Sequence, residues 1–249
     1  MKNGFELEVF KKESWSQGDY ARLMDFLMRN CDEEYRVFNE RTIPGSEGKT
    51  LGVRMSVLRP LSKKIASGNW REFLELKRDE VHEEVMLEGM VISEAKMEYK
   101  DRLKWIERFV PKITNWGLCD SFVNGKMLKG HEAEFWSELD GYLSTENPWA
   151  WRFAFLVMMT YYLNSEHIDD VLKRVLRWRS EFYYVQMMQA WLLATAWVKQ
   201  RGKTLEFLEE HAGSLSPEVV KMTIRKIRDS YRVSNDDKEL VLRLRNSSS

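Results

Sequence analysis

The sequence has few of the residues that break helices: 249 residues include five Pro and 13 Gly. Charged residues make up 31% of the chain and alternate with Leu, Met and Trp at helical spacing. An all-β sandwich, which needs many Gly- and Pro-rich turns, is therefore disfavoured. The sequence predicts an all-α protein.

Cysteines are also scarce. Cys31 and Cys119 are too few for a disulfide framework, and the four histidines, at positions 82, 131, 167 and 211, are widely separated. We therefore expect neither a structural metal nor a cofactor. Residues 1–6 contain no apolar stretch, so we expect no signal peptide and a cytoplasmic location, and residues 247–249 (SSS) are interpreted as a frayed tail.

No apolar run reaches the roughly 20 residues that a membrane span requires. Residues 148–163 (PWAWRFAFLVMMTYYL) and 182–198 (FYYVQMMQAWLLATAWV) come closest, but the first contains Arg152 and the second contains Gln186 and Gln189. These runs indicate helices that are apolar on most sides and buried within a helical protein, so no membrane partner is expected.

Apolar residues three and four positions apart mark further, amphipathic helices around these two runs. They cover residues 53–66, 79–95, 102–113, 131–143, 168–178, 204–211, 216–232 and 236–245. Caps mark some of their starts, such as Ser216 before Pro217 and the polar residues 234–236 before the last helix.

From residue 70 onward the helices form pairs, and the pairs recur about every 31 to 37 residues, the length of a two-helix repeat. The pairs begin near Trp70, Asp101, Glu132, His167 and Thr204. This pattern predicts an α-solenoid (superhelix) of stacked helical hairpins over residues 51–246, which the loop 42–50 joins to an N-terminal helical cap over residues 1–45. We expect a single domain over residues 1–249. An irregular helical bundle is the alternative, because no repeat is visible residue by residue.

The sequence lacks a Gly-rich phosphate loop and the GxSxG, HExxH and paired CxxC patterns. It does place polar residues among large aromatics. In the segment ITNWGLCDSF, Thr114 or Asn115 can cap a helix, and the four-residue step from Trp116 to Asp120 places both side chains on one face. The segment itself leaves open whether Asp120 is a functional carboxylate or a solvated, helix-stabilising one.

Two residues in the apolar runs are further candidates. Arg152 is the only charge in residues 148–163, and a buried guanidinium must pair with an acid or reach a groove or ligand. A salt bridge to Asp120, Asp140 or another acid and binding of an anion are both open. For Trp191, a core indole is the default explanation.

Two basic stripes stand out in a chain whose 39 Lys and Arg balance 39 Asp and Glu. They consist of Lys49, Arg54, Arg59, Lys63, Lys64 and Arg71, and of Lys221, Arg225, Lys226, Arg228 and Arg232. Local clusters of this kind can contact phosphates without a basic total, although a solvated helix face explains each stripe almost as well.

The chain resembles the AlkD-like DNA alkylation repair proteins, which are built from HEAT-like helical repeats. The likeness runs from about residue 51 to residue 245. It rests on the order and spacing of LGVR and LR (residues 51–54 and 58–59), VHEE (81–84), NWGLCDSF (115–122), WRFA (151–154), YYV leading to AW (183–191) and IRDSYRV (227–233).

The resemblance implies an enzyme, a DNA N-glycosylase that hydrolyses the N-glycosidic bond of N3- or N7-alkylated purines in duplex DNA while the damaged base stays stacked. It implies that Asp120, Trp116 and Trp191 are catalytic and that Arg152 holds a phosphate, in one cleft on the concave face. Arg54, Arg59 and Lys63 are further predicted DNA contacts.

This chain differs from the active branch of that family beside its first Trp, at Asn115 and Gly117, and at Ala194, where that branch has a basic residue. A non-catalytic relative that recognises distorted or branched DNA is therefore an alternative function. A helical-repeat scaffold for protein partners is a second alternative. We expect a monomer.

Overall fold

The structure, a computed structural model, describes residues 7–46 and 48–243. The helices of these residues are α1 (Gln17–Arg29), α2 (Glu33–Thr42), α3 (Met55–Ala66), α4 (Trp70–Leu76), α5 (His82–Glu94), α6 (Tyr99–Phe109), α7 (Trp116–Phe122), α8 (Glu132–Phe135), α9 (Leu139–Leu143), α10 (Pro148–Tyr161), α11 (Ile168–Arg177), α12 (Tyr183–Lys199), α13 (Arg201–His211), α14 (Pro217–Asp229) and α15 (Asn235–Arg243). The all-α prediction is confirmed, and the described residues contain no β-strand.

Some sequence predictions fall outside the described residues. These are the opening segment 1–6, the ending 247–249, and the last residues of the predicted final helix and repeat region, 244–246. The prediction of a single domain over residues 1–249 stays a prediction. In the structure the chain divides into two compact units, one up to His131 and one from Glu132.

Alternate helices stack in the first unit, as expected for helical repeats. Helix α3 packs on α5, and α5 packs on α7. Helix α5 is buried almost all round, including Glu83, Glu84 and Glu88. Glu83 accepts hydrogen bonds from the backbone N–H groups of residues 51–53, so a carboxylate of one repeat fixes the entry to α3 in the preceding one.

The second unit repeats this arrangement. Helix α10 packs on α12 and α12 packs on α14, while α11 and α13 pack together as a second row. The stacking of successive helical pairs supports the α-solenoid class predicted from the roughly regular helix spacing. The apolar runs become α10 and α12, whose side chains are mostly buried. No helix in the described part of the chain is both long and apolar enough to cross a membrane.

Local sequence signals set most helix boundaries. The Ser216 side chain caps α14 ahead of Pro217 at its first position, as predicted. The predicted helix over residues 131–143 is instead interrupted by a 3₁₀ turn, Trp136–Glu138, between α8 and α9. The Ser137 hydroxyl donates to the carbonyl of Glu134, and a side chain that bonds locally to the backbone competes with continuous α-helix.

Candidate functional site

Helix α7 carries two of the predicted site residues and is fixed at its start. The Asn115 side chain, which is buried, accepts a hydrogen bond from the N–H of Leu118 at 3.0 Å and caps the helix. The Trp116 indole Nε1 donates to the carbonyl of Thr42 at 2.8 Å. Because Thr42 is the last residue of α2, its carbonyl has no partner within that helix. Trp116 therefore ties α7 to the N-terminal helices.

A groove in the first unit brings Asp120 together with predicted DNA-contacting residues. It has a volume of about 600 Å³ and is formed by α3, α5 and α7 with the loop that follows α7. Its charged lining residues are Arg59, Lys63, Glu94, Asp120 and Lys126. Asp120 is half-buried, so its carboxylate lies at the wall of an open groove.

The basic residues of this groove differ in whether an acid already holds them. Lys126 forms an ion pair with Glu94 at 2.8 Å. Arg59 and Lys63 are exposed and form no ion pair with a carboxylate among residues 7–46 and 48–243. These two cations are available to bind an anion in the groove.

Arg54 is the third predicted DNA-contacting residue and the N-cap residue of α3, and it has protein partners. Its Nε donates to Asp32 Oδ2 at 2.7 Å, and its guanidinium carbon lies 5.0 Å from the centre of the Tyr35 ring. Hydrogen bonds from the Tyr35 N–H and from Arg54 hold the pKa of Asp32 below its usual value. Arg54 thus contacts α2, and the structure does not place it among the groove residues.

Gly117, where this chain departs from the active branch that it resembles, lies in a tight place. A Cβ at this position would come 3.2 Å from Ile43 Cδ1 and 3.2 Å from Asn115 Oδ1. A larger side chain would have to displace Ile43 or the capping amide. The glycine is therefore explained by the close packing of α7 against the segment that follows α2.

In the second unit, Arg152 is 1% exposed and its Nη1 donates to the carbonyl of Tyr184 at 2.8 Å. Tyr184 stands in the first turn of α12, so the guanidinium fastens α10 to the beginning of its neighbour. The sequence required a partner for this buried charge, and one partner is a backbone carbonyl 32 residues away.

Trp191 is exposed rather than part of the core: 39% of it is accessible to solvent. It lies in a groove of about 400 Å³ formed by α12, α14 and the residues after α14. The Lys226 Nζ lies 5.9 Å from the centre of the Trp191 ring. Burial, followed by the positive charges of Arg152 and Arg225, lowers the pKa of Lys226.

The four site residues that the family resemblance implies thus lie in different units. Trp116 and Asp120 are in the first unit, and Arg152 and Trp191 are in the second. That they converge in one cleft stays a prediction. Sequence reasoning missed Lys126 and did not single out Lys226 from its basic stripe. The spacing along one helix carries no information about which groove a lysine lines.

No three of the described His, Cys, Asp and Glu residues cluster in a way that would hold a metal ion. Residues 23–227 match the model of a protein family described as DNA alkylation repair enzyme. No curated protein matches the chain.

Proposed function

The chain belongs to the family of DNA alkylation repair enzymes, and from that premise we propose that it is a DNA N-glycosylase for positively charged N3- and N7-alkylated purines in duplex DNA. The observation that carries this proposal is the groove of the first unit. A half-buried carboxylate, Asp120, lines it together with two cations, Arg59 and Lys63, that no described acid neutralises.

The chemistry of the substrate explains why so few groups suffice. Alkylation at N3 or N7 makes the purine cationic, so the base leaves as a neutral molecule with the electrons of the broken glycosidic bond. No general acid is required. Positive charge develops on the deoxyribose instead, and a water molecule adds to C1′ and loses a proton. One carboxylate that faces the sugar stabilises this charge.

Asp120 takes that role in the proposed mechanism and also orients the attacking water. Arg59 and Lys63 bind phosphates of the same duplex, which brings the sugar to the wall on which Asp120 lies. The two cations favour DNA entry, because positive charge in a groove raises the local concentration of the polyanion.

Aromatic faces supply a second, weaker contribution. Trp116 and Trp191 pack against deoxyribose in this proposal, and their electron-rich rings favour the positive charge that develops there. Arg152, which is buried and acts electrostatically on Lys226 of the groove that Trp191 lines, adds positive charge for a flanking phosphate. Both units therefore act on the same duplex, and no cofactor takes part.

The decisive experiment compares two carboxylates of one groove, Asp120→Asn and Glu94→Gln, in release of 7-methylguanine or 3-methyladenine from methylated duplex DNA under single-turnover conditions. Both variants lose one negative charge, so both should bind DNA at least as well as wild type. Asp120→Asn should slow excision by about a hundredfold to a thousandfold, or about 3 to 4 kcal/mol, whereas Glu94→Gln should keep it.

The outcomes separate the alternatives. An Asp120→Asn variant as fast as wild type would remove Asp120 from the mechanism. A wild-type protein that binds duplex DNA and releases neither base would establish the non-catalytic DNA-binding function. Absence of duplex binding even at low salt would favour the protein-interaction scaffold.

A further inference from the structure

The solvent-facing side of α12 is unusual because it carries no charge until the last turn. The residues of this helix that are not buried recur every three or four positions beyond its first residue. They are Tyr184, Met187, Trp191, Thr195 and Val198, followed by Lys199. A helix face in contact with water normally carries charged side chains, so this uncharged stripe is suited to a partner that is itself partly apolar.

Cations surround the part of the stripe that lies around Trp191. Lys199, Lys226 and Arg232 line the same groove of about 400 Å³, and none of them forms an ion pair with a carboxylate in the described part of the chain. Asp229 is the acid that lines this groove, and its Oδ2 lies 3.7 Å from Nε of Arg225. Arg225 is exposed on α14 and does not line the groove. The groove therefore has an excess of positive charge.

Lys226 is the innermost of these cations. It is half-buried, and the positive charges of Arg152 and Arg225 act on it more strongly than the negative charge of Asp229. A ligand that brings a negative charge to Lys226 would stabilise the charged form of this partly desolvated amine.

We propose that Lys226, with Lys199 and Arg232 around the exposed indole of Trp191, forms a phosphodiester-binding site for duplex DNA in the second unit. An uncharged stripe with cations beside it suits a nucleic-acid strand, because apolar sugar faces and anionic phosphates alternate along such a strand. The site rests on the proposed function in one respect, that duplex DNA is the substrate. It selects Lys226 from the second basic stripe as the phosphate contact of α14, a choice that the sequence did not make.

Arg228 provides a matched control. It lies in the same last turn of α14 as Lys226, so both side chains are near the negative end of that helix. Arg228 is exposed and lines a different groove, with Lys221 and Arg225. Lys226→Met and Arg228→Met each remove one positive charge from one helix turn, and methionine retains most of the apolar stem that packs beside Trp191.

The test is the salt dependence of binding to an undamaged DNA duplex. Loss of one phosphate contact should flatten the slope of log affinity against log salt by about 0.9. The loss of affinity of Lys226→Met relative to wild type should therefore be about 3.5 times smaller at about 200 mM salt than at about 50 mM salt. Arg228→Met should keep the wild-type slope, and Lys226→Arg should restore it.

A second arm removes charge from the DNA instead. A duplex in which several phosphates are replaced by neutral methylphosphonates should weaken the binding of wild type more than the binding of Lys226→Met. Equal slopes for wild type and Lys226→Met, or equal flattening by Arg228→Met, would overturn the site. Because the duplex carries no lesion, these results do not depend on excision, and the proposed glycosylase activity can fail or succeed separately.

Discussion

Gly89→Ala should destabilise the protein, although alanine is normally the better residue inside a helix. Gly89 lies in the middle of α5, where glycine costs about 0.5 to 1 kcal/mol relative to alanine. A Cβ at this position, however, would lie 2.6 Å from Phe109 Cζ and 2.8 Å from Phe109 Cε1. Ordinary carbon contacts are about 3.5 to 4.0 Å, so the ring would have to move by about 1 Å.

Phe109 has little room to make that movement. It is fully buried, and its ring centre lies 4.6 Å from that of Phe122, which is fully buried as well. Overpacking of a filled core costs about 1 to 3 kcal/mol, which exceeds the gain in helix propensity. Because the ring has no room to move, the cost should lie at the upper end of that range, and the net loss should be about 2 kcal/mol in the free energy of unfolding. Phe122 ends α7, so the displacement also reaches the helix that carries Asp120.

Urea denaturation followed by far-ultraviolet circular dichroism measures this loss. Gly202→Ala is the matched control, because Gly202 lies in α13 and a Cβ there would meet no atom within 4 Å. That variant should be at least as stable as wild type. The double variant Gly89→Ala, Phe109→Leu should be more stable than its separate effects predict. A Gly89→Ala protein as stable as wild type would refute the packing argument.

Two more predictions concern carboxylates. Glu83 accepts hydrogen bonds from Thr50 Oγ1 and from three backbone N–H groups. Glu83→Gln should therefore lower the free energy of unfolding by about 2 to 3 kcal/mol in the same urea assay. An unchanged urea midpoint would contradict this role. Hydrogen bonds from Lys12 and Ser16 hold the pKa of Asp19 well below its usual range. The Asp19 carboxylate therefore stabilises the folded protein fully above the unfolded pKa of about 3.9, and this contribution is lost as the pH falls through the folded pKa. Asp19→Asn should therefore lower the urea midpoint at neutral pH but have no effect on it in strong acid. An equally lowered midpoint at both pH values would show that the charge of Asp19 does not matter.

Much of the helical structure could be predicted because its signals are local. Apolar spacing located α3 and α14 within a few residues, and the caps at Asn115 and Ser216 depend on side chains next to the backbone that they serve. The interrupted segment between α8 and α9 was missed, since amphipathic spacing does not register the local bond of Ser137. The pairing of helices also followed from spacing alone, as a two-helix repeat fixes the distance between successive pairs.

The candidate site could be predicted only in part. Chemistry and resemblance selected Asp120 and Trp191, and the structure places each of them in a groove. The sequence could not distinguish Arg54, which Asp32 holds, from Arg59 and Lys63, which lie in the groove with Asp120. All three stand on one basic stripe, and the difference depends on neighbours brought from other helices.

The sequence by itself determined the class of secondary structure, the spacing of the repeats and the residue types available for chemistry, because these depend on interactions within about one helical turn. Tertiary structure decided which side chains share a groove. Lys226 approaches Trp191, and the carbonyl of Tyr184 receives Arg152, only because α10, α12 and α14 pack in one row. Such contacts depend on how helix faces stack across 30 or more residues, and no local pattern specifies them.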